Sequence, residues 1–393
     1  MIYIIVILLI LFLSFQYDIS GKTRYREHWY WIILAIFILI AGLRWRIGID
    51  TTRYLYGFYH GYPTLDNFSF KTYYVGRDPF FYLINAFVKS IGGRFYLFQL
   101  IHASFVNGLI FIYIKRHSSY IFTCVFFYAI MTYLNYNAEI MRGSMSIVIC
   151  LFANDYFLEK KWLKGYLLLV IALMFHGQTI VLFFMPLFLF LRFNFIGIVT
   201  LVAAFVVGQF AGSLLNNYVE LLMFDKIEDK ALSYAELEKL GGEQGLRWIF
   251  GHVFSQFVYI FAALWYIKHR KPNMQLLLLE PFIMFYCVFL MVNIGFKITY
   301  RFVEYYSIYA SMLYAYVFVK VAKDRALKKG LSYVRALVVI FPLFWLFQSR
   351  HIVPPNELYR RYFPYSSVIE KSIDKKREDI YNRSSFPVNY NEY

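Results

Sequence analysis

Residues 79–93 read PFFYLINAFVKSIGG, and the topology of everything after them turns on this run. A bilayer crossing takes about 20 apolar residues. This run is shorter and closes on Gly92–Gly93. Counted as a full span, it inverts every later loop. Counted as a re-entrant or interfacial helix, it leaves Lys115–Arg116, Lys160–Lys161–Lys164, Arg192, Lys268–Lys271 and Lys320–Lys329 on one common side. Lys-rich loops belong in the cytoplasm, so the second reading fits the positive-inside rule.

Outward from this run, apolar stretches recur at 1–16, 28–43, 95–114, 119–137, 139–158, 163–176, 178–191, 195–213, 249–267, 275–294, 301–320 and 333–348. The pattern predicts an all-α polytopic membrane protein with about 12 transmembrane helices plus the short helix after the first long outer loop. Residues 1–16 lack a basic segment before them and carry Lys22, Arg24 and Arg26 after them, which predicts a retained first helix with its N-terminus outside. No linker or internal repeat divides the chain. The expected organisation is one membrane domain, 1–348, with outer loops at 44–94 and 214–248, and a solvated extracytoplasmic tail, 349–393.

Composition agrees. Of 393 residues, 60% are hydrophobic and only 16% charged, and the mean hydropathy is +0.51; these values exclude an ordinary soluble domain. The net charge of +16 would suggest nucleic acid in a soluble protein, but here it is largely topological Lys and Arg, so a nucleic-acid partner is excluded. Cys124, Cys150 and Cys287 sit in apolar runs without metal or disulfide spacing. Phosphate-binding glycine loops, acidic metal motifs and a serine nucleophile elbow are missing from the sequence, so neither metal nor cofactor is expected.

Against this topology, several arginines stand on the wrong side. Arg44, Arg46, Arg53, Arg77 and Arg142 fall on the outer ends of spans or in outer loops, and Arg301 opens a late helix at the same level. An anionic ligand at the outer face explains such a cluster, because Arg pairs bidentately with phosphate. The densest stretch is 42–54, GLRWRIGIDTTRY, where backbone near Gly48 can turn sharply and offer N–H groups to an anion. The plain alternative is an interfacial loop whose arginines snorkel to lipid phosphates. Asp50 either orients Arg44 or Arg53 or serves as a base.

Asp78 precedes Pro79, an ordinary helix start, so it is either a cap or a functional carboxylate. Arg142 lies a turn inside an apolar span, where a charge marks a site by default. Glu139, three residues earlier, is positioned to pair with it. His176 stands in a tight outer turn, either as a bonded turn residue or as a group that contacts substrate. His102 and His252 read as core histidines. Arg301 and Glu304 are spaced to pair on one helix face, and anion binding is the alternative for Arg301.

These motifs in this order resemble the EpsG family of bacterial polysaccharide polymerases, functionally of the Wzy type. The residues that carry the resemblance are Gly42-Leu43-Arg44, Gly48-Ile49-Asp50-Thr51 with Tyr54, and Asp78 to Asn85; then Asn135 to Arg142, Phe175-His176, Tyr300-Arg301 and Tyr359 to Tyr365. Gly143 and Gln178 depart from the family pattern. The resemblance implies a membrane glycosyltransferase at the outer face of the cytoplasmic (inner) membrane. Its substrates would be undecaprenyl-diphosphate-linked oligosaccharides, and its partners membrane lipids, a flippase and chain-length regulator proteins. The growing glycan would pass from its carrier to a new lipid-linked unit. Arg44, Arg46, Arg53, Arg77, Arg142 and Arg301 would bind the diphosphate. The base would be Asp50 or His176, with Asp78 or Glu139 as alternatives, and Tyr54, Gln178 and Tyr300 would contact sugar. The rival readings are an O-antigen ligase, another lipid-linked-glycan transferase, a membrane acyltransferase and a lipid-linked oligosaccharide flippase.

Overall fold

A computed structural model describes residues 2–71, 78–218, 255–269, 273–295, 299–323 and 358–383. Among them there is no strand; the one extended pairing is an isolated antiparallel bridge between Arg44 and Ser367. The chain forms two compact units: residues 1–186 with 318–393, and residues 187–317.

The first unit holds α1 (Ile2–Leu13), which continues as a π-helical segment through Ile19, α2 (Arg26–Gly42), α3 (Ile49–Tyr56), α4 (Pro79–Ser90), α5 (Phe95–His117), α6 (Ile121–Met131), α7 (Met141–Leu158) and α8 (Trp162–Phe175). Gly42 lets α2 approach α5: a Cβ there would lie 2.9 Å from the Leu100 Cα, so any larger residue forces the two backbones apart.

Ion pairs gather at both ends of this bundle. At one end Arg26 meets Asp18 at 3.5 Å, Lys115 pairs with Glu27, and Arg116 and His117 converge on Asp155 at 3.6 and 2.9 Å. Lys320 and Lys323 lie beside the Tyr120 ring at the same end. The opposite end gathers residues 42–56, Asp78, 135–142, 176–178 and the described tail.

The 12-residue α4 starts and finishes at that opposite end. Asp78 precedes its first turn, while Lys89 Nζ donates to the Tyr62 carbonyl and Leu65 N donates to Ser90 Oγ, both at 2.8 Å. Its length of about 18 Å falls short of the roughly 30 Å hydrocarbon core. Pro79 suits the start because a first-turn N–H has no intrahelical acceptor.

By length and composition, two described helices can cross a bilayer, Ile2–Ile19 and Phe95–His117; five further apolar helices are shorter. These are fewer full-length crossings than the dozen expected, and the expected span 333–348 lies outside the described residues. The expected span 178–191 is instead two 3-10 segments, Gly177–Phe183 and Met185–Phe188. Pro186 has no N–H and crowds the preceding turn, which prevents an α-helix from running through.

The second unit holds α9 (Phe195–Tyr218), α10 (Ser255–His269), α11 (Glu280–Gly295) and the start of α12 (Ser307–Lys323). Buried Glu280 accepts from the Phe193 N–H at 2.7 Å and from Lys268 Nζ at 2.5 Å. Residues 219–248 of the expected second outer loop, and His252, lie outside the described residues.

Candidate functional site

Arg142 is the second residue of α7, and its partner is Asp78 rather than Glu139. Its Nη1 donates to Asp78 Oδ2 at 2.6 Å. The other carboxylate oxygen, Oδ1, accepts from the Gly177 N–H at 2.8 Å, and His176 Nδ1 stands 3.7 Å from it. Three segments far apart in sequence therefore meet on one buried carboxylate. Burial works to raise the Asp78 pKa, but the His176 and Arg142 contacts and the Gly177 N–H outweigh it, and the carboxyl is held below its usual range.

Arg142 stays one-third exposed (34%). Its guanidinium stands 5.8 Å from the Tyr54 ring centre, and its Nε has no hydrogen-bond partner. His176 Nε2 contacts Gln178 Oε1 at 3.1 Å. Arg142, Asp78, His176, Gln178 and Tyr54 thus form one cluster.

Glu139 does different work. Residues Asn135–Glu139 form a π-helical turn ahead of α7, so Glu139 and Arg142 do not share a helix and the three-residue spacing does not bring them together. The Glu139 carboxylate instead receives Ile49 N at 3.3 Å and Asp50 N at 3.0 Å, at the start of α3, with Arg361 Nη1 at 3.6 Å. The anion expected at the Gly48 turn is thus a side chain of the protein itself. Gly48 has φ +96°, and a Cβ there would lie 2.7 Å from the Ala138 Cβ, so the turn requires glycine.

The other arginines are placed as follows. Arg44 is buried; it donates to the Ala41 carbonyl and to Thr51 Oγ1 at 3.2 Å, and also contacts Met141 Sδ. Burial lowers its pKa to about 10. Arg46 is buried in a bidentate pair with Glu378, at 2.8 and 2.7 Å. Arg53 is exposed and lies 3.7 Å from the partly exposed Asp50. Arg77 lies outside the described residues. Arg301 and Tyr300 belong to the second unit, where the guanidinium stands 5.9 Å from the Tyr300 ring. His102 is a core residue, its Nε2 at 3.1 Å from the Met141 carbonyl and 3.0 Å from Ser144 Oγ.

The described part of the tail, 358–383, is partly packed against the 43–48 loop rather than wholly solvated. Trp45 N donates to the Ser366 carbonyl at 2.8 Å, Gly48 N to Arg361 O at 3.0 Å, and Val368 N to Leu43 O at 2.8 Å. Tyr362 packs with Ile47 and Ala138 in a small buried cluster. Arg377, 1% exposed, donates to the Arg360 and Pro364 carbonyls. The tail therefore braces the 43–48 loop and supplies Arg361 to Glu139. The aromatic and basic run 359–365 was the only sequence signal for this.

Among the described residues, no three His, Cys, Asp or Glu side chains converge as metal ligands do. A helical bundle of membrane type, with an Arg–Asp–His cluster at the end opposite Lys115, Lys320 and Lys323, is the class of protein that these features define. The EpsG family matches the chain over residues 27–367, nearly its whole length. The chain belongs to the EpsG family and is a membrane protein of polysaccharide biosynthesis, of the polymerase type. No curated protein and no solved structure matches it.

Proposed function

We propose that this protein polymerises oligosaccharide repeat units carried on undecaprenyl diphosphate, at the outer face of a bacterial cytoplasmic membrane that it crosses about a dozen times. The acceptor hydroxyl of a new lipid-linked unit attacks the anomeric carbon of the growing chain. The bond from that carbon to the diphosphate breaks, the carrier diphosphate leaves, and the hydroxyl proton passes to a base. The diphosphate is itself the leaving group, so no nucleotide is consumed.

One observation carries this reading: Arg142 is fixed by Asp78 through one nitrogen and still presents part of its guanidinium outward beside Tyr54. A pre-positioned cation at that point stabilises the charge that grows on a departing diphosphate. Asp50 is the base in this scheme. Its side chain is 37% exposed, against 4% for Asp78, 9% for Glu139 and 15% for His176. It also lies one helical turn from Tyr54, which faces Arg142. Asp78 and Glu139 are engaged in holding Arg142 and α3, which makes them positioning residues.

The test is the set of glycolipids that accumulate when the gene is deleted. Single repeat units on the carrier support a polymerase. Finished polymer left on the carrier instead indicates a ligase and overturns the proposal.

A further inference from the structure

An apolar groove of about 440 Å³ opens on the flank of the first unit, between α5, α7 and α8. Its lining includes Phe80, Phe105, Ile149, Phe152, Leu168 and Phe175, and the remaining lining side chains are aliphatic. The volume falls within the range of roughly 300–1,000 Å³ usual for ligand sites.

Position gives the groove its meaning. Phe80 and Phe175 pack edge to face at its upper end, with ring centres 5.5 Å apart. Phe80 follows Asp78 by two residues, and Phe175 immediately precedes His176. The groove thus begins beside the Asp78–Arg142–His176 cluster. Phe152 lies ten residues below Arg142 on the same helix, about 15 Å deeper. A one-third-exposed cation stands near its upper end, and only hydrocarbon lines it below. That is the charge and polarity profile of an anionic head on a long apolar tail.

We propose that this groove seats the diphosphate-proximal isoprene units of the lipid carrier while Arg142 holds the diphosphate. The assignment rests on the substrate reading above. A tail seated here fixes the reacting sugar at one height relative to Arg142, which loosely held bilayer lipid does not do.

The test uses the full-length protein in nanodiscs and a polyprenyl diphosphate bearing a diazirine near its diphosphate end. Irradiation is expected to label peptides containing Ile149–Phe152 and Leu168–Phe175. Polyprenyl monophosphate should compete for this labelling, and phosphatidylglycerol should not. Equal competition by phosphatidylglycerol makes the groove an ordinary lipid contact and overturns the proposal. Labelling around Asp78 and Arg142 without labelling of the groove overturns the groove assignment while the substrate reading stands. No labelling at either place overturns both.

A second measurement compares substrates on a long polyprenyl carrier with substrates on a carrier too short to enter the groove. Leu168→Trp fills the groove and should reduce the preference for the long carrier at least about tenfold, because burial of more than one or two CH2 groups is lost. An unchanged preference in a correctly inserted variant contradicts the proposal.

Discussion

Glu378→Ala tests whether the tail is a structural part of the site. Glu378 receives both Nε and Nη2 of Arg46, and the two side chains are only 7% and 4% exposed. Removing one member of a buried pair leaves the other charge uncompensated and costs about 3–5 kcal/mol. The tail's other anchors are the backbone hydrogen bonds to the 43–48 loop and the Tyr365 hydroxyl on the Ile40 carbonyl, each worth about 1 kcal/mol net, with the Arg361–Glu139 pair and the packing of Tyr362. The loss therefore appears as local detachment of the tail rather than unfolding of the bundle. About 4 kcal/mol raises the detached population roughly a thousandfold. The assay is thiol labelling of Ser366→Cys, at a position 1% exposed, in a chain whose native cysteines are all buried. Labelling should accelerate by about that factor when opening and closing are fast. Polymer synthesis should fall with it, because the 43–48 loop loses its brace. The double variant Arg46→Met with Glu378→Leu removes both charges and should return labelling close to the parent rate. Glu378→Ala labelling within about threefold of the parent, a change of under 1 kcal/mol, would refute the reasoning.

Asp78→Asn and Arg142→Gln should each destabilise by about 1–3 kcal/mol, the lower range reflecting Arg142's one-third exposure, and the double variant should cost less than their sum. Because the Asp78 pKa is depressed in the folded state, its stabilisation is complete above about pH 4 and is lost as pH falls through the folded value. Thermal midpoints measured across that window should flatten in Asp78→Asn. Glu139→Gln should lower the melting temperature together with the rate, through roughly 1–2 kcal/mol of lost charge-assisted capping at α3. An inactive Glu139→Gln of unchanged stability would instead make Glu139 the base. For topology, Ser119→Cys and Asp66→Cys should label from opposite sides of the membrane, inside and outside respectively. Labelling of both from outside refutes the orientation.

Much of this architecture could be read from the residues, and the failures have physical causes. Closing Gly-Gly and insufficient length were enough to mark 79–93 as a short helix, and Pro79–Ser90 has 12 residues. The depth of Arg142 in an apolar run was enough to mark it as special. Its partner was misread because spacing rules assume one continuous helix, whereas the chain changes from a π turn to a new helix between Glu139 and Met141. Arg46 looked like a ligand for phosphate because its carboxylate stands 332 residues away, and no local pattern reports such a pair. The tail looked solvated because it is polar in composition, although burial of Tyr362, Arg377 and Glu378 depends on tertiary packing alone. Hydropathy gave 178–191 as a span and did not register that Pro186 cannot continue an α-helix.

In the proposed function Arg142 holds the substrate's diphosphate. Arg142→Lys tests it most directly, because Lys keeps the charge and loses the planar fork that grips two oxygens. The measurement is the length distribution of glycan made from lipid-diphosphate-linked repeat units by purified, membrane-inserted protein. The expected variant is inserted at parental levels, makes little or no long polymer and leaves single lipid-linked units. Long chains at the parental rate from Arg142→Lys would contradict it.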